Sequence, residues 1–416
     1  MIPAGAYAHH SVSIPADAPR RVSRVLMIAP TPFFGDRGCH VRILEEVRAL
    51  RALGIEVEIV TYPAGADLPD VRIHRAASMP GVRVREVGPS YGRIPLDGSL
   101  LVTAARVARR FRPHCLHVHL HEGIAIGVPL RRRFGIPLVA DLQGSLAGEL
   151  ADHGFLGQRG MLPALVRRVE RWLVRQPDAL LVSAQSGQDL LVSQGVDPGR
   201  VHWLPDGVDL EQFRPRAANP ALVRRFGLEG RRVVVYLGVL TAYQGVDLLL
   251  DAVPEVVRAV PDAHFLIMGY PNEDAYRAQV AARGLSAHVT LPGRIPYAEA
   301  PDYLTLGCVA VSPKQSLTEA NGKLLNYMAC GLPTVASDTR VNRDLLGEAG
   351  VYVPVGDASA LATGLAALLR DPDRRSAAGA ALRARVERRF AWPALASQLA
   401  GIYERLSPPE AHATRS

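Results

Sequence analysis

Lysine is almost missing from this chain: two residues, Lys314 and Lys323, against 46 arginines. Long apolar runs are missing too. No stretch of 18 or more apolar residues occurs, which excludes a transmembrane helix of ordinary length. The first 23 residues hold Pro, His and Arg but no apolar h-region, so they do not read as a secretory signal. They are expected to form a flexible extension, and the chain is expected in the cytoplasm. Cysteine is sparse: Cys39, Cys115, Cys308 and Cys330 form no CxxC pair, and no histidine lies at ligand spacing from them. Buried reduced thiols are expected, and no metal site. Aromatic residues make up 6%, low for a surface that stacks bases, and no nucleic-acid-binding motif occurs, so nucleic acid is not an expected partner.

What is present is an ordinary globular composition, 48% hydrophobic and 21% charged over 416 residues, enough for two or three domains. The net charge of +8 is uneven: residues 1–205 hold 25 arginines against 18 acidic residues, which leaves the second half nearly neutral. An anionic substrate or surface on the first half would suit that excess.

Apolar runs at 25–30, 55–61, 116–119, 137–140, 179–183 and 201–204 read as buried parallel strands, with helical patterns between most of them. The first helix carries Val41, Leu44, Val47 and Leu50 on one face and stops near Gly54. Residues 204–215, LPDGVDLEQFRP, are rich in turn formers and read as a linker. A second series of strands follows at 233–237, 264–268, 289–291, 308–311, 334–337 and 351–354. The pattern predicts an α/β protein of two doubly wound, Rossmann-like domains, 24–205 and 206–390, with a helix near 391–407 returning to the first and a tail at 408–416. Ligands of such sheets bind beyond the carboxyl ends of the strands, so function is expected in the loops that follow them.

Both lysines lie in one such loop, SPKQSLTEANGKLLNY at 312–327, between a strand and a helix expected to start near Gly322. A compact ammonium and a helix start both suit phosphate, which points to Lys314, Lys323 and Gly322 as anion-binding residues. Glu319 either complements the helix dipole or accepts hydrogen bonds from sugar hydroxyls.

At this point the chain resembles a known family, the GT-B glycosyltransferases of family 4. Its run LLNYMACGLPTVAS at 324–337 is similar to the family's LLEAMACGLPVVAS, and LPDGVD at 204–209 with Phe213 and Pro215 is similar to its IPNGVD linker. His40-Val41 through Val57, the strand at 233–238 followed by GVDLL at 245–249, and Phe390, Trp392 and Tyr403 also fit. The resemblance covers roughly residues 24–406. It implies a retaining transfer of sugar from a nucleoside-diphosphate sugar, UDP- or GDP-linked, to a hydroxyl acceptor, with no metal and no protein nucleophile, in polysaccharide, glycolipid or cell-envelope glycan synthesis.

Two departures stand out. Where the family has an Arg and a Lys that grip the diphosphate, this chain has Val239 and Gln244. The second Glu of the family's E-x7-E pair aligns with Asn326, with Glu319 one residue short of that spacing. Lys314 and Lys323 are therefore expected to replace the missing cations. Glu319, Asn321 and Asn326 are expected on the sugar and ribose, and Gly269 and Arg294 at the nucleotide base.

In the first half, the loop FFGDRGCH at 33–40 is not GxGxxG, so nicotinamide binding is unsupported. By the resemblance it is a glycine loop, with Gly35 and Gly38 near the donor phosphate and Arg37 near the acceptor. His117, His119 and His121 alternate, which on a strand puts all three on one face. They read as acceptor-pocket residues (His119, His121, with Glu122) or as buried hydrogen-bonded histidines, rather than as a metal site. Gln143, at the position of a family histidine, is expected to hydrogen-bond the sugar, and Asp141 is a candidate base for the acceptor. Residues 161–176 form a basic amphipathic helix, read as core-packed with a solvated Arg face; the alternative is attachment to the inner face of the plasma membrane, to reach a lipid-linked acceptor. A GT-B-fold nucleotide-sugar epimerase would need an acid/base pair across the cleft that cannot be assembled, and a non-catalytic two-lobed binding protein would need an export signal.

Overall fold

The computed structural model describes residues 21–35, 38–79, 94–142, 161–316 and 320–407. The expectations for Arg37, Gln143 and Glu319, and for the tail at 408–416, lie outside the described residues.

The first lobe runs β1 (Arg24–Ala29), α1 (Gly38–Ala52), β2 (Glu56–Thr61), β3 (Arg72–Arg75), α2 (Ile94–Phe111), β4 (Cys115–His119), α3 (Leu120–Phe134), β5 (Leu138–Leu142), α4 (Met161–Leu173), β6 (Ala179–Val182), α5 (Gln185–Ser193) and β7 (Val201–Trp203). The second runs α6 (Pro220–Phe226), β8 (Arg232–Leu237), α7 (Val246–Ala259), β9 (Ala263–Met268), α8 (Glu273–Ala282), β10 (Val289–Gly293), α9 (Ala300–Leu304), β11 (Val309–Ser312), α10 (Lys323–Ala329), β12 (Thr334–Ser337), α11 (Arg340–Leu346), β13 (Val351–Val353), α12 (Ala358–Arg370) and α13 (Pro372–Arg389), and α14 (Trp392–Leu406) closes the chain.

All the strand pairings are parallel, in the orders β3-β2-β1-β4-β5-β6-β7 and β10-β9-β8-β11-β12-β13. Each sheet winds outward in two directions from its first strand. That is the Rossmann order, with its switch points between β1 and β4 and between β8 and β11. Strands buried on both faces explain the continuous apolar runs: Val25 to Ala29 and Val233 to Tyr236 are each 3% exposed or less.

β3 has no counterpart among the expected strands. Its sequence, Arg-Ile-His-Arg, is too polar for a buried strand, yet it pairs with β2 at the sheet edge. Arg72 bonds Glu56 at 2.9 Å and His74 bonds Glu58 at 2.8 Å, so cross-strand ion pairs stand in for apolar burial.

The link between lobes is built from local polar chemistry. Asp209 Oδ1 accepts from the amides of Glu211 and Gln212, Val208 N donates to Phe390 O, and Gly207 packs so closely on Trp392 that a Cβ would lie 2.6 Å from its ring. Outgoing and returning chains thus cross at one point. α14 then packs on the first lobe through Leu395, Leu399, Ile402 and Tyr403, beside α1 and against the sheet, where Tyr403 Oη lies 2.6 Å from His117 Nδ1 of β4. α1 hides Arg42, Glu45 and Glu46 as well as its apolar residues. Val22 is fully buried and its amide donates to Glu404, so the expected flexible extension does not reach residues 21–23.

Candidate active site

The switch point of the second sheet gathers two loops. Gln315 N donates to Tyr243 O at 2.9 Å, and Gly245, at φ +80, lets Pro313 O approach to 2.0 Å of where a Cβ would stand. The β8 and β11 loops are therefore zipped together. Lys323 opens α10 beside them. Its Nζ donates to Gln244 Oε1 at 2.8 Å and lies 3.4 Å from Tyr236 Oη, 4.6 Å from the centroid of that buried ring. A Cβ on Gly238 would come within 2.9 Å of this ammonium. Lys323 thus delivers a cation to the end of the Gln244 side chain, the position where the family pattern has its own lysine.

Lys314 behaves differently. It is 4% exposed and its Nζ donates to Ala320 O at 2.6 Å, strapping the loop from inside. Asn321, expected on the sugar, is turned into the protein. It is 2% exposed, and its amide group donates to Ser312 Oγ and to Asn342 Oδ1, which brace β11 against α11. Asn326 is half-buried on α10, three residues beyond Lys323. Gly322 immediately precedes α10, where a Cβ would lie 2.9 Å from Asp206 Oδ2 of the interlobe link.

At the ends of β9 and β10, Gly269 approaches Gly238 so closely that a Cβ would fall 1.7 Å from its carbonyl oxygen. The exposed Arg294 guanidinium lies 4.7 Å over the Tyr270 ring. Gly269, Tyr270 and Arg294 therefore form one surface beside the Lys323 loops; Tyr270 on it and the buried Tyr236 beneath Lys323 are residues that the motifs did not single out.

In the first lobe, His40 Nδ1 sits 3.0 Å from Gly35 O and fixes the glycine loop, while Gly38 has open space where a Cβ would project. Behind this loop lies a buried charged cluster. Arg42 donates to Asp141 Oδ2 at 2.7 Å, to Asp206 Oδ1 at 2.8 Å and to Leu204 O at 3.0 Å, and Glu46 Oε1 is 3.2 Å from its Nε. Burial works against the Arg42 charge, but Asp141, Glu46 and Asp206 outweigh it and hold the group protonated well above its usual range. Burial would raise Asp141; Arg42 and the His119 hydrogen bond overcome this and hold its carboxyl well below the usual range. A fully buried carboxylate held that firmly ionised is a poor proton acceptor, and the place of Asp141 against Arg42 and His119 is that of a counter-ion rather than of the expected base.

The histidines also depart from expectation. His117 and His119 lie on β4, fully buried and stacked at 4.6 Å, with His119 Nδ1 3.3 Å from Asp141 Oδ2. His119 faces this buried cluster rather than an open pocket. The strand ends at His119, so His121 falls on α3 instead of sharing their face, with its Nε2 3.5 Å from the buried Glu170. Glu122 is half-buried in the first turn of α3.

On α4, Glu170 and Leu173 point inward, but Leu165, Val169 and Trp172 are 57%, 44% and 53% exposed and alternate with exposed Arg167, Arg168 and Arg171. The helix is therefore not core-packed along its apolar stripe. No helix among the described residues is long and apolar enough to cross a membrane.

Two Rossmann-like lobes, each with its switch point at the interlobe side, define a GT-B fold. The sequence fills in the family. Residues 231–371 match "Glycosyl transferases group 1" and residues 37–207 match "Glycosyl transferase 4-like domain". A D-inositol 3-phosphate glycosyltransferase of Thermobispora bispora is 30% identical over 92% of this chain and 95% of its own. The chain belongs to this glycosyltransferase family and is a hexosyltransferase-type enzyme. Among solved structures, sucrose-phosphate synthase of Thermosynechococcus elongatus superposes with a TM-score of 0.79 at 20% identity, covering 92% of this chain and 99% of that one. Anabaena HepE in complex with UDP-glucose gives 0.73 at 15%, covering 92% and 100%.

Proposed function

We propose that the enzyme transfers a sugar from a UDP- or GDP-sugar to a hydroxyl acceptor with retention of anomeric configuration, Lys323 gripping the diphosphate. The observation that carries this reading is the Lys323 ammonium at the β8/β11 switch point, 2.8 Å from Gln244. In the reaction, the bond between the anomeric carbon and the β-phosphate oxygen breaks while the acceptor oxygen bonds to the same face. The acceptor proton passes to an oxygen of the departing phosphate, so the step needs neither a protein nucleophile nor a metal. A cation fixed beside the leaving group stabilises charge that grows in the transition state. Lys314 contributes by holding the loop rather than by contact, and the Tyr270–Arg294 pair receives the base.

The acceptor is a hydroxyl compound bearing an anionic group, lipid-linked acceptors included. The arginine excess of the first half favours it, as does the inositol phosphate in the relative's name. The exposed Leu165–Val169–Trp172 stripe among arginines supports peripheral contact with an anionic membrane on its cytoplasmic side.

The test is a panel of UDP-, GDP- and dTDP-sugars with phosphorylated polyols and lipid-linked sugars, following nucleoside diphosphate release and the anomer of the product by NMR. Acceptor-dependent release with an unchanged anomer is expected. An epimerised but intact nucleotide sugar, or binding without turnover across the panel, would overturn the assignment.

A further inference from the structure

The buried cluster behind the glycine loop has donors pointed at nothing. Glu46 on α1, His117 and His119 on β4 and Asp141 on β5 are all fully buried, and one ligand atom from each lies within 4.8 Å of the others. The outer ring nitrogens are engaged: His117 Nδ1 with Tyr403 Oη at 2.6 Å, His119 Nδ1 with Asp141 Oδ2 at 3.3 Å. The Asp141 carboxylate can only accept, which puts the His119 proton on Nδ1; with His117 in the same tautomer, donating to Tyr403 Oη, both Nε2 lone pairs point inward. There they lie 3.9 and 4.0 Å from Glu46 Oε2. Neither Nε2 has a hydrogen-bond partner in the structure, nor do Glu46 Oε2 and Asp141 Oδ1. Buried polar atoms in native proteins are almost always satisfied, so four orphans facing one another need an occupant.

The charges agree. One guanidinium, Arg42, faces three carboxylates, Glu46, Asp141 and Asp206. With neutral imidazoles and all three carboxylates ionised the group is two negative charges in excess, which a divalent cation balances; with no divalent cation beside it, burial pushes the Glu46 carboxyl well above its usual range. Two imidazoles and a carboxylate, each imidazole held from behind by an oxygen, form the donor set of a zinc site with its outer partners in place. Zinc–ligand bonds of about 2.0–2.2 Å set ligand atoms roughly 3.4 Å apart in a tetrahedron, a contraction of about half an ångström for the two Glu46–histidine separations and of up to about 1.4 Å for the widest pair.

We propose that Glu46, His117 and His119 bind a structural zinc ion whose fourth ligand is a water molecule bonded to Asp141 Oδ1, with Asp141 Oδ2 and Tyr403 orienting the two histidines. The ion ties α1 to the central strands and, through Arg42 and Asp206, to the interlobe link. It takes no part in glycosyl transfer, so the proposal stands or falls apart from the proposed reaction.

The protein, carrying no metal-binding tag, is stripped with a chelator, incubated with zinc chloride, desalted and analysed for metal, alongside Glu46→Gln and His117→Gln. About one zinc per chain is expected, with occupancy at least ~10-fold lower in both variants and a lower Tm for the stripped wild type. Cobalt in place of zinc in the wild-type protein should give the intense visible bands of a tetrahedral site, a readout that does not depend on the variants folding. Less than a tenth of an equivalent of zinc in folded wild-type protein, or equal zinc in the wild type and a folded Glu46→Gln, overturns the proposal, as does cobalt without tetrahedral bands.

Discussion

Replacing Lys323 by alanine removes the cation that the β8 and β11 loops converge on. Two consequences can be separated. Without ligand, the protein loses a cation–π contact with Tyr236 and a hydrogen bond to Gln244, together about 1–2 kcal/mol of stability at most, because the ammonium is only half-buried. With nucleoside diphosphate bound, it loses a charge-assisted hydrogen bond of about 1.5–3 kcal/mol. At about 1.4 kcal/mol per decade this is roughly a 10- to 100-fold rise in Kd, read by isothermal titration calorimetry with UDP and GDP. The nucleoside monophosphate is the control, since Lys323 is assigned to the part of the ligand it lacks, and its Kd should move less than threefold or so by the same arithmetic. A lysine introduced at the neighbouring position, Gln244→Lys in the Lys323→Ala background, reaches the same point from the other loop and should recover most of the loss. Equal affinities for wild type and Lys323→Ala, or equal losses for mono- and diphosphate, would refute the reasoning.

Other perturbations have expected outcomes of their own. Gly245→Ala combines a left-handed backbone with a clash against Pro313 O, and should cost about 2 kcal/mol or more in denaturant unfolding while weakening diphosphate binding as the loops part. Asn321→Ala strands the Asn342 and Ser312 side chains and should cost about 1–3 kcal/mol of stability. If instead it chiefly raised the KM for donor sugar with stability intact, its assignment as a brace would be wrong. Asp141→Asn leaves Arg42 with one counter-ion fewer in a buried setting, and should destabilise by about 3–5 kcal/mol, with any activity loss following the folded fraction. Trp172→Glu with Leu165→Glu should leave the melting curve nearly unchanged and weaken binding to anionic-lipid vesicles; undiminished sedimentation with vesicles would remove α4 as the contact.

Much of the architecture was legible because strands buried on both faces leave continuous apolar runs, and those runs alternate with helical periods. β3 was not, since its pairing energy lies in Glu56, Glu58, Arg72 and His74, residues that read as surface when taken singly. The 312–327 loop stood out as a candidate site from scarcity: a chain that uses arginine nearly everywhere keeps its two lysines there. The division of labour between them was not legible. A buried strap at Lys314 and a half-buried cation on Gln244 at Lys323 differ only in what tertiary packing does to Ala320 and Gln244. Asn321 misled for the same reason, as its partners Ser312 and Asn342 lie on separate elements. The buried cluster was hidden more deeply. Glu45 and Glu46 lie off the apolar face of α1 formed by Val41, Leu44, Val47 and Leu50, and only tertiary packing sets Glu46 against His117 and His119 of β4, with Tyr403 of the distant α14 behind them. The alternation of the histidines placed His121 on the face of His117 and His119, but the strand ends at His119.

The most direct test of the account is a crystal structure of the enzyme with UDP, and with GDP as a second soak. The account predicts a pyrophosphate oxygen within about 3 Å of Lys323 Nζ and the base against Tyr270 and Arg294. A pyrophosphate bound elsewhere, with Lys323 still turned onto Gln244, would contradict it.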